Sequence, residues 1–264
     1  MQIAANISLM FKDLPLQERP KKGAELGFKG IEVQFPYELP VEAWQGLLEE
    51  AELPLILLNL PAGDFMQGGD GLACHPKRQA EFTQALELSL PYIEKLQPKV
   101  VNVLAGRKVA TFSQQACLNQ LASNLIQTCD ALADFPLTVT CEPINNLDQA
   151  NYLTPSVADW NQLAKKVAQP NFGLQLDLYH SAKMHAAKRE KAIEPLIKQY
   201  SSKITHIQFA DYPGRSHPGS GKLDFKTIFN LLNQQGYQGW LAAEFPSVST
   251  DKYNWLTHLH ATSY

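Results

Sequence analysis

The sequence predicts a single (β/α)8 barrel over residues 1–264, and three observations carry that expectation. Eight short apolar or β-branched runs alternate with longer stretches of helical periodicity over about 250 residues, the length and element count of such a barrel. No composition shift or linker divides the chain. The rival, a doubly wound open sheet, usually carries a glycine-rich phosphate turn after an early strand, and neither G-x-G-x-x-G nor G-x-x-x-x-G-K-[ST] occurs.

In chain order the strand-like runs are IAANISL near residue 3, GIEVQF from Gly30, LILLNL from Leu55, VVNVL from Val100, LTVTCE from Leu137, FGLQLD from Phe172, ITHIQFAD from Ile204 and WLAAEF from Trp240. Between them, VEAWQGLLEEA from Val41, the stretch from Ser113 to Asp134 and SVADWNQLAKKVA from Ser156 space apolar residues at i, i+3 and i+4, as helices with one buried face do. Ser113 and Ser156 are the expected N-caps. One connection stands out, PAGDFMQGGDGLACHPK after the third run. At about 17 residues with four glycines it is expected to be a lid or binding loop, its GGDG stretch flexible.

Strand ends matter most in a barrel, because chemistry gathers at the carboxyl rim. The last four runs end in or near Glu142, Asp177, Gln208 and Glu244, each roughly 31–36 residues from the next, about one β/α unit. That spacing brings four side chains from adjacent strands to one rim. Alternation agrees: Gly173, Gln175 and Asp177 share one face of their run while Leu174 and Leu176 take the other, and His206 shares a face with Gln208. Buried Gln175 and His206 need partners, and holding the rim residues in place would supply them. Three converging carboxylates repel unless protonated or neutralised, and oxygen-only ligation by Glu142, Asp177, Gln208 and Glu244 suits a hard divalent cation, Mg²⁺ or Mn²⁺.

Further candidates lie on the loops. His180, three residues past Asp177, is placed to hydrogen-bond a substrate oxygen. Arg215 in ADYPGR and Arg107 in NVLAGR follow the seventh and fourth runs, where a guanidinium could hold a carboxylate bidentately. His75 in ACHP would arrive with the lid. Cys141, next to Glu142, points by alternation toward the helices as a core thiol.

Composition narrows the function classes. With 23 Lys plus Arg against 26 Asp plus Glu, the net charge is −3 and no run of either sign is long, so neither nucleic acid nor an anionic membrane is an expected partner. No apolar run approaches the ~20 residues of a membrane span. Four cysteines without a C-x-x-C pair, in a chain opening MQIAANISLM without a basic leader, lead us to expect a cytoplasmic protein.

The segments AANISLMF, GFKGIEVQFPYE, NLPAGDFMQGGDGLACHPKR, NVLAGR, CEPIN, LDLYH, HIQFADYPGRSHPGSGKLDF and AAEFPS together resemble the hydroxypyruvate isomerase family of xylose-isomerase-like barrels, nearly end to end. The long LPAGD…ACHP loop and IQFADYPGR are its most specific parts. The resemblance implies aldose-ketose type isomerisation of a small hydroxy-oxo acid, with Glu142 and Glu244 flanking the reacting carbons as the catalytic pair. It also implies a metal site built from these two with Asp177 and Gln208. Gln208 stands where many sugar isomerase and epimerase relatives carry histidine, which removes a nitrogen ligand. The sequence SAKMHAAK after His180 departs from the family's usual continuation.

Two other functions fit the same barrel. A ketose 3-epimerase would use the same glutamate pair on a different carbon, and a metal-stabilised binding module would hold the ligand without turnover. A phosphodiesterase of the endonuclease IV type needs a richer His, Asp and Glu cluster and a positive face than seven histidines and a net charge of −3 supply. The sequence leaves a homo-oligomer open.

Overall fold

Each of the eight runs forms a strand, and the strands pair in chain order, all parallel, until the eighth closes on the first. The computed structural model describes residues 1–184 and 189–261. The order is β1 (Gln2–Asn6), α1 (Arg19–Glu25), β2 (Gly30–Val33), α2 (Val41–Ala51), β3 (Leu55–Asn59), α3 (Gln79–Leu96), β4 (Val100–Asn102), α4 (Gln114–Ala131) and β5 (Thr138–Thr140). There follow α5 (Val157–Val167), β6 (Phe172–Asp177), α6 (Leu178–Met184), α7 (Arg189–Tyr200), β7 (Ile204–Phe209), α8 (Phe225–Gln234), β8 (Trp240–Ala243) and α9 (Asn254–Ala261). β6 runs straight into α6; residues 185–188 of the unusual SAKMHAAK continuation lie outside the described residues.

Local signals explain the helix starts. Ser113 accepts the Ala116 N–H at 3.1 Å, and Ser156 forms a capping box with Asp159, satisfying donors that the first turn leaves open. The apolar helix faces and the outward strand residues make one large core. Trp44, Trp160, Phe28, Phe82 and Phe209 are almost fully buried in it. Truncating one of these aromatics to alanine would cost about 3–5 kcal/mol. Inside the barrel the bottom is plugged by Ala4, Ile56 and Ala242 with Trp240. Gly30 makes room there, because a Cβ on it would lie 2.7 Å from Ile56 Cγ1. Toward the carboxyl end the interior turns polar, with Asn6, Glu32, Asn102, Thr140, Gln175, His206 and Gln208 all buried.

The connection after β3 differs from the flexible GGDG loop expected. Its Phe65–Gln67 stretch is a 3-10 turn, and Asp64 Oδ1 accepts both Gly71 N–H at 3.1 Å and Arg78 Nη1 at 2.7 Å. Gly106 lets it lie close to the barrel: at φ +86°, a Cβ there would sit 2.6 Å from the Asp70 carbonyl oxygen. Internal hydrogen bonds therefore hold the loop in one shape despite its glycines.

Candidate active site

The rim of the barrel encloses a cavity of about 140 Å³ whose polar walls include Glu142, Gln175, His180, Gln208, Arg215 and Glu244. Its apolar side is made by Leu9, Phe35, Leu57, Leu104 and Ile144, with Phe65 and Met66 brought over it by the loop after β3.

Backbone and register deliver the four rim residues. Asp177 and Gln208 are direct partners across β6 and β7. Glu244 continues the β8 ladder by one residue, its N–H bonded to the Phe209 carbonyl at 2.9 Å. β5 stops at Thr140, and the Glu142 N–H turns to a side chain instead, Asn102 Oδ1 at 3.1 Å. That turn lifts the Glu142 carboxylate off the wall and into the cavity.

The two glutamates sit in different surroundings. Glu244 Oε1 accepts from Asn6 Nδ2 at 3.1 Å, Gln34 Nε2 at 3.1 Å and, at 3.4 Å, Gln208 Nε2; its Oε2 accepts from Arg215 Nη2 at 2.8 Å. Glu142 Oε2 has one donor, Gln175 Nε2 at 3.2 Å, and Oε1 is buried with none. Asp177 Oδ1 accepts the His180 backbone N–H at 2.9 Å while its Oδ2 is likewise unpartnered.

Electrostatics follows this geometry. Burial, then the charges of Glu244 and Asp177, push the Glu142 carboxyl well above the ordinary range. Burial raises Glu244 to about 7 against the restraining effect of Arg215, and burial also raises Asp177. Burial lowers His180 to about 4, helped by Arg215. Burial works against the Arg215 charge as well, yet Glu244, Asp177 and Glu142 outweigh it and the net shift is upward.

Ligand-type atoms of Glu142, Asp177, His180 and Glu244 lie within 4.8 Å of one another. Two buried carboxylate oxygens without donors, on Glu142 and Asp177, face a third carboxylate, and a divalent cation is the group that would satisfy all three. The cluster could therefore bind a metal ion.

Beneath it lies a polar floor. Glu32 pairs with His206 Nε2 through Oε1, and its Oε2 accepts from Asn6 Nδ2 at 3.0 Å and Gln208 Nε2 at 2.8 Å. Gln208 Oε1 accepts from Gln175 Nε2 at 2.6 Å, whose own Oε1 accepts from Thr140. This chain fixes the Gln208 amide with nitrogen toward Glu32 and oxygen toward Gln175. Gln175 supports the rim residues Glu142 and Gln208 directly, whereas His206 reaches the rim only through Glu32. Glu32, Asn6 and Gln34 went unremarked in the sequence, although polar Glu32 and Gln34 alternate with Ile31, Val33 and Phe35.

Two candidates from the sequence lie away from the cavity. Arg107 spends its guanidinium on the Phe65 carbonyl at 3.0 Å, the Gly69 carbonyl and Gln149 Oε1 at 2.6 Å, and stacks 4.3 Å from the Phe65 ring. It clamps the loop after β3, leaving little to offer a ligand. His75 packs edge-on against Phe112, 6.0 Å between ring centres, and its Nδ1 accepts the Lys77 N–H. Cys141 is fully buried in the outer core, with a thiol pushed up by burial.

A parallel eight-stranded barrel with acidic side chains on the rims of β5, β6 and β8 defines a class, and comparison with known proteins names it. The chain belongs to the xylose isomerase-like TIM barrel family, whose model matches residues 20–261. It is 31% identical to the hydroxypyruvate isomerase of Escherichia coli K12, across 95% of this chain and 96% of that one. It is 30% identical to the 2-oxo-tetronate isomerase of Cupriavidus necator, across 92% of each. Among solved structures, a Brucella melitensis protein described as a family 2 AP endonuclease superposes with a TM-score of 0.91 at 30% identity, covering 97% of this chain and 98% of that one. The 3-keto-D-glucoside 4-epimerase of E. coli superposes at 0.79 with 20% identity, covering 99% of each, a likeness of fold. The motifs and these relatives point to the same family.

Proposed function

We propose that the protein isomerises a small hydroxy-oxo acid, hydroxypyruvate to tartronate semialdehyde or a 2-oxo-tetronate to its 3-oxo partner, by proton transfer between adjacent carbons. The observation that carries this reading is a pair of buried glutamates, Glu142 and Glu244, that line one cavity of about 140 Å³ with carboxylate oxygens within 4.8 Å of each other. The relatives named for the same two reactions support it.

In the forward direction one carboxylate takes a proton from C3 of hydroxypyruvate, leaving a cis-enediolate; a carboxyl on the other side returns one to C2 as a proton passes from O3 to O2. Glu142 Oε1, free of protein donors, is the atom able to hold the travelling proton on its side. Glu244 Oε2, bonded to Arg215, is the matching atom opposite. Arg215 has a buried Nε–H without a partner, the donor we assign to the substrate carboxylate. His180 offers its ring to a substrate oxygen, and Phe65, Met66 and Ile144 exclude water. Glu142, Asp177, Glu244 and the Gln208 oxygen would hold Mg²⁺ or Mn²⁺. When bound, such an ion would polarise the substrate oxygens and stabilise negative charge on them.

The nuclease description of the Brucella relative fits these residues poorly, since a net charge of −3 and a small acidic cavity oppose a DNA backbone. Four buried thiols, all free, suit the reducing cytoplasm in which we place the protein. The test is a screen of hydroxypyruvate, 2-oxo-tetronates and neutral ketoses in deuterated water, with and without Mg²⁺, Mn²⁺ or Co²⁺. Turnover of the acids with deuterium at the carbon that gains hydrogen is the expected result. Preferred turnover of ketoses would establish an epimerase, and binding without exchange a non-catalytic module.

A further inference from the structure

His180 belongs to the acidic cluster by distance, yet the hydrogen bonds behind its ring decide which chemistry it can perform. Asn145, on the loop leaving β5, accepts the backbone N–H groups of Leu147 at 3.1 Å and Asp148 at 2.9 Å through Oδ1. Flipping the amide would set its NH₂ against two donors, so the orientation is fixed. Its two Nδ2 protons then go to Asp148 Oδ2 at 3.0 Å and to His180 Nδ1 at 2.5 Å. Asp148 is itself held by Tyr179 and Lys183, which keeps Asn145 in place.

An Nδ1 that accepts a hydrogen bond carries no proton, so in the neutral ring the proton sits on Nε2. That nitrogen faces the cavity, 3.9 Å from the unpartnered Glu142 Oε1. We propose that Asn145 is a positioning residue that locks His180 as an Nε2–H donor, so that His180 binds the substrate oxygen gaining negative charge and acts as neither metal ligand nor proton-abstracting base. A ring bound to a metal through Nε2 would carry its proton on Nδ1, directed at the Asn145 NH₂. The cation site is therefore all oxygen, although His180 lies among its atoms. The role at a substrate oxygen rests on the isomerase reading; the tautomer and the exclusion from the metal do not.

Long-range proton–nitrogen correlation spectra of uniformly ¹⁵N-labelled protein at pH 7 test this directly, with the His180 signals assigned by their loss in His180→Gln. The expected pattern is a pyrrole-like Nε2 and a pyridine-like Nδ1, inverted in Asn145→Asp because a carboxylate there accepts from Nδ1–H. Asn145→Asp should lower kcat/KM about ten- to a hundredfold with the circular dichroism unchanged. His180→Gln, whose amide can still donate near the Nε2 position, should keep more activity than His180→Leu and bind Mn²⁺ within about twofold of wild type by calorimetry. A protonated Nδ1 in the wild type, or Mn²⁺ affinity weakened about tenfold or more in His180→Gln, would overturn the proposal. Should Asn145→Asp fail to fold, the wild-type spectrum and the Mn²⁺ titration still decide. A wild-type protein inert on every acid would remove the isomerase reading and the oxygen-binding role with it, while the spectrum would still report the tautomer.

Discussion

Replacing Arg215 by methionine asks whether the cavity is built for a carboxylate. The guanidinium donates from Nη2 to Glu244 at 2.8 Å, keeps a buried Nε–H in reserve and lies 5.2 Å from the centre of the Tyr179 ring. Methionine keeps most of that packing and removes the charge. With an acid substrate the loss is a charge-assisted bond of about 1.5–3 kcal/mol, or about ten- to a hundredfold in kcat/KM. The structure adds a second effect. Arg215 is the main influence holding the Glu244 carboxyl down against burial, so without it that carboxyl rises above about 7. A base must be ionised to accept a proton, so the acid limb of the pH profile moves to higher pH and activity at pH 7 falls for any substrate. Raising the pH to about 9 restores this part, since even an upshifted carboxyl then ionises, but it leaves the binding loss untouched. The assay is initial rates by proton NMR from pH 6 to 9, on hydroxypyruvate and on a neutral ketose, with the same metal added to both proteins. A defect at pH 9 on hydroxypyruvate but not on the ketose is expected. Equal residual loss on both would refute the carboxylate assignment, and an unmoved acid limb would refute the coupling to Glu244.

The remaining expectations are as direct. Glu142→Gln and Glu244→Gln should each abolish solvent-deuterium incorporation into hydroxypyruvate, and exchange at the wild-type rate in either would remove that residue from the proton path. Arg107→Ala should cost about 2–3 kcal/mol in urea unfolding through lost bonds to the Phe65 and Gly69 carbonyls, and expose the loop to chymotrypsin at Phe65 and Leu72; unchanged protection there would mean the loop holds itself. For His180 the unfolded ring takes a proton near 6.5 and the folded ring only near 4, so its contribution is full above 6.5 and lost as pH falls through 4. The stability of wild type relative to His180→Gln should therefore grow by about 3 kcal/mol from pH 4 to 6.5, and a pH-independent difference would contradict a buried neutral ring.

What the sequence revealed, and what it hid, follows from how far each signal reaches. Strand number, order and the rim positions of Glu142, Asp177, Gln208 and Glu244 rest on period-two alternation and unit spacing, which are local properties repeated eight times. Arg107 and His75 turn away from the cavity, which the same alternation does not foretell, because a loop residue's direction depends on what the loop folds against. Nothing local to NVLAGR says that Arg107 would meet Phe65 and Gly69, some 40 residues earlier in the chain. The GGDG stretch looked loose for the same reason, its order coming from Asp64, Arg78 and Arg107 together. Glu32 is different. Alternation in GIEVQF already set it on the face of Gln34, opposite Ile31 and Val33, and a fully buried glutamate could have been inferred from that. Its partner could not, since His206 arrives from 174 residues away.

That buried floor makes two chemically identical glutamates unequal. Glu32 orients Asn6 and Gln208, and both of these, with Gln34, turn donors toward Glu244. With Arg215 on its other oxygen, Glu244 has four donors that favour its ionised form. Among the described residues Glu142 receives only the Gln175 amide, because the Gln208 nitrogen is committed to Glu32 and Glu244. The cost of ionising it is therefore higher, and burial with the charges of Glu244 and Asp177 pushes its carboxyl well above the ordinary range. Two like charges this close cannot both ionise cheaply without a cation, and the polar floor decides which gives way. Glu244 thus keeps the fuller set of donors beside Arg215, while Glu142 turns an unpartnered oxygen toward His180 and the cavity. An enzyme that must lift a proton from one carbon and return it to the next needs such inequality. Here it comes from donors on β1 and β7, from Gln34 just past β2 and from the Arg215 loop.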